Sequence, residues 1–255
     1  MLSDIFVIGN STIKLDAIAS TNDYMRELLT KGDKITEGTV VIAENQHGGK
    51  GQRGNKWVSE PGANLTFSIV LYPKFLRPSD QFELSKAISL GIVSYLADTL
   101  PVNLSEIKVK WPNDIYVRSE KVCGILIENL VSGNRLTHSI VGIGLNVNQK
   151  IFDKSLSNPS SMRLLSETEY DLSLTLNGLC HCLDRRYIDL RNNSTQRINN
   201  EYLSALYRFE EFWDYEIKGV PVRAQIVGVS ETGALIVEDE YGKQVHCNFK
   251  EVVFS

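Results

Sequence analysis

The chain has 255 residues, of which 42% are hydrophobic and 23% charged, and its formal net charge is −4. This length and apolar content can bury a sizeable core in one large domain or two unequal ones. The acidic balance gives no general basic surface for a nucleic acid, and no apolar run approaches the roughly 20 residues that span a bilayer.

The N-terminal segment and the cysteines indicate a cytoplasmic, reducing environment. Residues 1–5 lack the basic region and the long apolar stretch of a secretion signal. The four cysteines contain no C-x-x-C pair, and Cys180 and Cys182 would diverge on a helix instead of converging on a metal. We therefore expect reduced thiols and no metal site built from protein side chains alone.

The first half of the chain alternates between strand and helix patterns. Alternating β-branched and apolar residues predict three strands, at 13–18, 38–44 and 65–72. Ser20 or Thr21 is a helix cap, and the helix it starts runs to about Leu29. A broad apolar side predicts a long second helix over 79–100.

The second half predicts a strand-rich region, two helices and a small C-terminal unit. Four strands are expected at 107–111, 114–118, 124–130 and 136–146, and two helices at 173–190 and 196–207. After Tyr215 the composition shifts to short alternating strands at 220–229, 234–238 and 244–248. This shift predicts a small antiparallel barrel, with a domain boundary near 210–214.

A glycine-rich loop with interleaved cations occupies residues 44–57. It contains four glycines, three cations and a closing tryptophan: Gly48, Gly49, Gly51, Gly54, Lys50, Arg53, Lys56 and Trp57. Glycine lets the backbone approach a ligand closely, and successive N–H groups beside cations suit phosphate or carboxylate. No Gly-Lys-Ser/Thr ends the loop, so it is not a Walker A motif. Taken alone, it could also be a solvated connection between strands.

Four further motifs accompany this loop. They are Ser20-Thr21-Asn22, the Lys-Trp-Pro-Asn-Asp segment at 110–114, the Lys-Val-Cys-Gly-Ile-Leu-Ile-Glu segment at 121–128, and the Gly-Ile-Gly-Leu-Asn-Val-Asn segment at 142–148. In this order and spacing, the five motifs resemble the biotin–protein ligase (biotin–acetyl-CoA-carboxylase ligase) family. The resemblance extends from about Ser11 to the C-terminus.

The resemblance implies an α/β (α+β) fold with two domains. Residues 1–210 would form a mixed-sheet catalytic domain flanked by helices, and residues 211–255 a C-terminal SH3-like β-barrel. Because the catalytic motifs begin at Ser20, we expect the short form of the family, without the N-terminal DNA-binding module that some members carry. We also expect a monomer or a weak homodimer.

The activity implied by the resemblance has two steps. Biotin and MgATP give biotinyl-5′-AMP and pyrophosphate, and a lysine of a biotin carboxyl carrier protein domain then attacks the acyl carbon. The first step brings two anions together, the biotin carboxylate and the α-phosphate, so the site must supply positive charge. Mg²⁺ is expected to arrive with ATP, whose phosphates supply most of its ligands.

The cations expected to act in catalysis are Lys121 and Arg53. By resemblance, Lys121 matches the family lysine that contacts the carboxylate and the α-phosphate, whereas without its motif it would be a solvated hairpin lysine. Biotin contacts are expected from Ser20, Thr21, Asn22, Gln46, Lys50, Gly51, Gln52, Lys121 and Gly124. Adenylate contacts are expected from Lys50, Arg53, Trp57, Asn113, Asp114 and Asn146.

Side-chain chemistry supports part of this assignment. Ser20, Thr21, Asn22 and Gln46 offer the donors and acceptors that a neutral ureido ring needs, although Ser20 and Thr21 also suit helix capping. The Trp57 ring is a stacking surface for adenine.

One position departs from the commoner family loop, in which an arginine stands where this chain has Gln52. Gln52 donates hydrogen bonds but carries no charge, so either Arg53 or Lys50 compensates or the backbone amides hold the intermediate. Two competing functions remain on sequence alone. One is a lipoate or octanoate–protein ligase of the same superfamily, and the other is a non-catalytic adenylate-binding module.

Overall fold

A seven-stranded mixed sheet forms the centre of the protein in a computed structural model that describes residues 6–254. Its strands are β1 (Thr12–Ile18), β2 (Val40–Gln46), β3 (Leu65–Leu71), β4 (Ile107–Lys110), β5 (Asp114–Val117), β6 (Glu120–Ser132) and β7 (Arg135–Leu145). Their spatial order is β1-β2-β3-β7-β6-β5-β4. β1 and β2 run parallel, and every other neighbouring pair is antiparallel. The predicted mixed sheet is therefore confirmed.

Helices cover both faces of this sheet. They are α1 (Thr21–Thr30), α2 (Phe82–Thr99), α3 (Met162–Ser166), α4 (Leu172–Arg191) and α5 (Thr195–Ala205). On one face Met25 of α1 packs against Val41, Val70 and Ile140, and the larger core with α2 and α4 fills the other. Successive residues of a strand point to opposite faces. Central strand β3 is consequently buried at all seven positions, including the hydroxyl-bearing residues Thr66 and Ser68.

A second, five-stranded antiparallel sheet ends the chain. It contains β8 (Phe212–Ile217), β9 (Val220–Val229), β10 (Leu235–Asp239), β11 (Gln244–Cys247) and β12 (Val252–Phe254), in the order β11-β10-β9-β8-β12. This sheet agrees with the expected small barrel. The sequence patterns did not predict β8, β12 or α3. The division at residues 210–211 stays a prediction.

The two sheets meet at Trp111, which is only 5% exposed. Its indole Nε1 donates to the carbonyl of Gly233 at 3.0 Å, and its ring centroid lies 5.1 Å from that of Phe249. Gly233 also lies against Phe82 of α2, since a Cβ at position 233 would fall 2.6 Å from the Phe82 ring. The C-terminal sheet is therefore seated on the central domain through packed aromatic groups and one buried hydrogen bond. Within residues 6–254, the helices are too short or too polar to cross a membrane.

Two glycine substitutions test this contact. Gly233 and Gly242 both have positive φ, +93° and +78°, so alanine at either position costs about 1–2 kcal/mol of backbone strain. Nothing lies within 4 Å of a Cβ at Gly242. We expect Gly233→Ala to lose roughly 1–3 kcal/mol more than Gly242→Ala in urea unfolding, because the new methyl group displaces Phe82. Equal losses would show that the packing around Gly233 is loose.

Candidate active site

A cavity of about 290 Å³ lies between the glycine-rich loop, the start of α1, strands β6 and β7, and the C-terminal sheet. Most of the residues expected to bind ligand line it: Ser20, Thr21, Asn22, Gln46, Lys50, Gly51, Gln52, Trp57, Asn113, Asp114, Lys121 and Gly124. The structure thus brings together groups that lie far apart in the sequence, from Ser20 to Gly124.

Two of the residues expected to bind ligand, Asn146 and Arg53, are not among the cavity-lining residues that the structure describes. Asn146 is buried and does not belong to the cavity lining, because its side-chain amide donates to the carbonyl of Ser160 at 2.9 Å. Arg53 lies in the short 3₁₀ helix Gln52–Gly54, and its side chain is outside the described part of the structure. The adenylate roles of both residues stay predictions.

Gln46 and Thr21 form the buried polar end of the cavity. The Gln46 Oε1 accepts from the backbone N–H of Thr21 at 2.9 Å and from its hydroxyl at 3.2 Å. The N–H donor identifies the facing Gln46 atom as oxygen, so Nε2 is the end of this amide that remains to donate. Ser20 meanwhile caps α1, since its Oγ accepts from the Asp23 N–H at 3.3 Å. Helix capping and a ligand-binding role are therefore compatible here.

Ser68 and Glu128 orient Asn22. The Glu128 carboxylate accepts from the Asn22 Nδ2 at 2.8 Å, which turns the amide oxygen toward Ser68. The fully buried Ser68 hydroxyl lies 2.6 Å from that oxygen and 2.7 Å from the Thr21 Oγ1. Ser68 is not among the site residues predicted from the sequence, because its one signal is a hydroxyl in β3, and Thr66 of the same strand shares that signal.

Lys50 is tied to α1 by Asp23. Its Nζ lies 2.6 Å from the Asp23 carboxylate, which also accepts from Arg26 at 2.6 Å. Partial burial raises the pKa of Asp23, but the hydrogen bonds from Lys50 and Arg26 outweigh it and hold that pKa below its usual value. The ion pair therefore persists at neutral pH and fixes one side of the glycine-rich loop.

Trp57 closes the loop onto the sheet. Its backbone N–H donates to the carbonyl of Gly49 at 3.0 Å. Its indole ring lies over Gly124 and Gly144, which face each other on the paired strands β6 and β7. A Cβ at Gly144 would fall 2.2 Å from this ring, and one at Gly124 would fall 3.1 Å from it. At position 144 only glycine permits so close an approach. The indole Nε1 is buried and has no hydrogen-bond partner within the described residues.

Lys121 stands at the charged end of the cavity. Its Nζ lies 2.7 Å from the Asp114 carboxylate and 5.9 Å from the centroid of the Trp57 ring. The Lys121 backbone N–H donates to the carbonyl of Asn158 at 2.7 Å, and its carbonyl accepts from the Ser160 N–H at 2.9 Å. The segment 158–160 thus holds the start of the strand that presents the ammonium group.

The C-terminal sheet supplies a wall of the cavity, although none of its residues is among the ligand contacts expected from the sequence. Phe249, Lys250, Val252 and Phe254 all line it. No motif marks these residues in the sequence, and only the seating of the second sheet on Trp111 brings them to the cavity.

Comparisons with known proteins point to one family. Residues 15–146 match the model of the Biotin/lipoate A/B protein ligase family. The bifunctional ligase/repressor BirA of Escherichia coli is 30% identical over 237 residues, which are 91% of this chain and 70% of that protein. The biotin--[acetyl-CoA-carboxylase] ligase of Paracoccus denitrificans is 27% identical, over 89% of this chain and 95% of its own.

Solved structures share the fold. The biotin protein ligase of Aquifex aeolicus in complex with biotin and ATP superimposes with a TM-score of 0.78 at 24% identity, over 96% of this chain and 98% of that one. The biotin acetyl coenzyme A carboxylase synthetase of Helicobacter pylori gives a TM-score of 0.55 at 19% identity, over 92% of this chain and 99% of that one. Both likenesses include the C-terminal sheet, given their coverage.

The packing of Trp57 on Gly144 is testable. Gly144→Ala should push the indole off the sheet and cost roughly 1–3 kcal/mol in urea unfolding, with a change in the near-ultraviolet circular dichroism of tryptophan. Gly228→Ala in β9 is the matched control, because the nearest atom to its Cβ is 3.8 Å away. That variant should be neutral or slightly stabilising, since alanine loses less entropy than glycine in a strand. If both variants changed the free energy of unfolding by the same amount, the packing of Trp57 on Gly144 would be contradicted.

Proposed function

The chain belongs to the biotin/lipoate A/B protein ligase family, and we propose that its cavity activates biotin with ATP and transfers it to a carboxylase carrier domain. One observation carries this proposal: the cavity joins a buried, neutral hydrogen-bonding end at Thr21 and Gln46 to a cationic end at Lys121. Biotin has the same division, with a neutral ureido ring at one end and a carboxylate at the other.

The polar end suits the ureido ring. A ureido group presents one carbonyl acceptor and two N–H donors, and the Gln46 amide and the Thr21 and Asn22 side chains offer complementary partners. Because these partners are buried and already oriented by Ser68 and Glu128, they need little rearrangement to bind. A lipoyl or octanoyl chain would leave them unsatisfied, which disfavours the lipoate and octanoate ligase alternative.

The cationic end suits adenylation. A carboxylate oxygen of biotin attacks the α-phosphorus of ATP, a new oxygen–phosphorus bond forms, and pyrophosphate leaves. Lys121 stabilises the negative charge that develops between the two anions. In the resting site Asp114 holds this ammonium in place at 2.7 Å, so Lys121 is already positioned when the substrate anions arrive. This intact arrangement also argues against a non-catalytic adenylate-binding module.

Transfer completes the reaction. The unprotonated amine of a lysine on a biotin carboxyl carrier protein domain attacks the acyl carbon, the bond to the phosphate oxygen breaks, and AMP leaves. The glycine-rich loop and Trp57 shield the mixed anhydride from water before the acceptor arrives. Gln52 lines the cavity without a charge, so either Arg53 or Lys50 compensates or the backbone amides of the loop hold the intermediate.

Mg²⁺ is expected with the nucleotide. Within the described residues, no three metal-ligating side chains cluster, and Asp114 is the carboxylate that lines the cavity. We therefore expect the phosphates and water to supply most of its ligands, with Asp114 as the protein candidate. A bound Mg²⁺ would neutralise charge on the leaving pyrophosphate.

The decisive test measures pyrophosphate release with biotin, lipoate and octanoate in parallel. We expect biotin to be used at least about 10²-fold more efficiently, since a site built for hydrogen bonds rejects analogues that lack them. Transfer to a purified carrier domain then checks the second step. Comparable use of lipoate or octanoate would overturn the proposed substrate.

Lys121→Gln tests the cationic end. Loss of the charge should lower the rate of biotinyl-5′-AMP formation roughly 10²-fold or more, while thermal unfolding stays near that of the parent because the side chain is partly exposed. Lys108→Gln is the control, since Lys108 lies in the same sheet on β4, with β5 between it and β6, and its ammonium donates to the carbonyl of Ser204, outside the cavity. An unchanged adenylation rate in folded Lys121→Gln would remove Lys121 from the mechanism.

A further inference from the structure

A row of charged side chains links the glycine-rich loop to the polar end of the cavity. The Lys50 ammonium lies 2.6 Å from the Asp23 carboxylate, and the Arg26 guanidinium donates to the same carboxylate at 2.6 Å. The other terminal nitrogen of Arg26 lies 2.5 Å from the Glu128 carboxylate, which accepts from the Asn22 amide at 2.8 Å. Arg26 is therefore the cation that joins α1 to Glu128 of β6, 102 positions away.

Glu128 decides which way the Asn22 amide faces. A half-turn of a primary amide exchanges its oxygen and its nitrogen, and the Ser68 hydroxyl fits either orientation because it can donate or accept. The carbonyl of Leu126 lies 3.4 Å from the Asn22 Nδ2, which is a long and weak contact. A carboxylate only accepts hydrogen bonds, so Glu128 holds the amide nitrogen on its own side and leaves the oxygen facing Ser68. The donors and acceptors that Asn22 offers to a ureido ring therefore depend on Glu128.

Arg26 in turn holds the Glu128 carboxylate. Within residues 6–254, the hydrogen-bonding partners of the Glu128 side chain are Asn22 and Arg26, and the side chain is 34% exposed. A partly exposed glutamate keeps much of its rotamer freedom unless a partner restrains it. An isolated surface ion pair contributes little to stability, but a guanidinium that bridges the carboxylates of Asp23 and Glu128 forms a network with a defined geometry. Arg26 thus supplies the restraint that Glu128 needs.

We propose that Arg26 is a positioning residue for biotin recognition, because it fixes Glu128 and thereby the orientation of the Asn22 amide. This proposal rests on the proposed function. Arg26 lies outside the cavity lining, so it acts through Glu128 and Asn22 and does not touch the ligand. Its loss lowers the affinity for the ureido ring. The direct pair between Lys50 and Asp23 survives that loss, so the glycine-rich loop keeps its attachment to α1 and the nucleotide binds as before.

The test compares Arg26→Met with the parent. Methionine is unbranched like arginine and suits a helix, but it carries no charge. In titration calorimetry we expect Arg26→Met to weaken biotin binding about 5- to 10-fold, because the amide is no longer held in one orientation before the ligand arrives. The Kd for ATP should stay within about twofold of the parent. In assays of biotinyl-5′-AMP formation, the KM for biotin should rise while kcat stays near the parent value.

Arg77→Met is the matched control. Arg77 also pairs with an aspartate three positions away, Asp80, at 2.8 Å, and it too lies outside the cavity lining. Both variants lose one exposed arginine, so both should unfold in urea near the parent, and only Arg26→Met should lose affinity for biotin. A double-mutant cycle with Glu128→Gln locates the effect. Adding Arg26→Met to Glu128→Gln should change the Kd for biotin by less than about twofold, because no carboxylate remains to be held.

The side-chain amide signal of Asn22 in nitrogen-15 NMR spectra separates this test from that of the proposed function. We expect the signal to shift or broaden in ligand-free Arg26→Met and to stay unchanged in Arg77→Met. If the parent neither binds biotin nor releases pyrophosphate with it, the proposed function fails, and the Asn22 signal still decides whether Arg26 orients the amide. If folded Arg26→Met binds biotin within about twofold of the parent, or if its effect persists in full beside Glu128→Gln, the role of Arg26 is overturned. An equal loss of affinity for ATP would also overturn it, because the effect would then be structural.

Discussion

The close approach of the Trp57 indole to Gly124 and Gly144 is the contact on which the cavity depends. Two facing strands lack side chains at one register position, and the ring occupies the space that Cβ atoms would fill. Trp57 in turn anchors the end of the glycine-rich loop, because its backbone N–H donates a hydrogen bond to the carbonyl of Gly49. The Lys50–Asp23 ion pair holds the other side of the loop, so the packing of Trp57 decides how its C-terminal end lies on the sheet.

The resting site already resembles one prepared for anions. Lys50 and Lys121 are each held by a carboxylate, Asp23 and Asp114. Such partners keep flexible ammonium groups in fixed positions, so substrate binding costs less side-chain entropy. The neutral end is prepared in the same way, since Glu128 and Ser68 fix the orientation of the Asn22 amide. Binding can therefore replace existing contacts instead of ordering a loose site.

The C-terminal sheet is part of the cavity as well as a neighbour of it. Trp111 joins the two roles, because the same indole that donates to Gly233 also lines the cavity. A change at this contact would alter stability and the shape of the site together. This coupling gives a physical reason for a small barrel, only marginally stable by itself, to stay attached to the catalytic domain.

The sequence by itself determined the mixed sheet, most helices and the family, because strand and helix periods and contiguous motifs are local properties. It also singled out Thr21, Gln46 and Lys121, which line the cavity and whose motifs lie beside a helix cap, a strand end and a hairpin. Tertiary structure decided the rest. Ser68, Asn158 and Lys250 reach the site across tens to more than a hundred positions, and no local pattern encodes such contacts. Asn146 shows the same limit: it continues the parity of Gly142 and Gly144, but β7 ends at Leu145, and the chain there turns the amide toward Ser160 and away from the cavity.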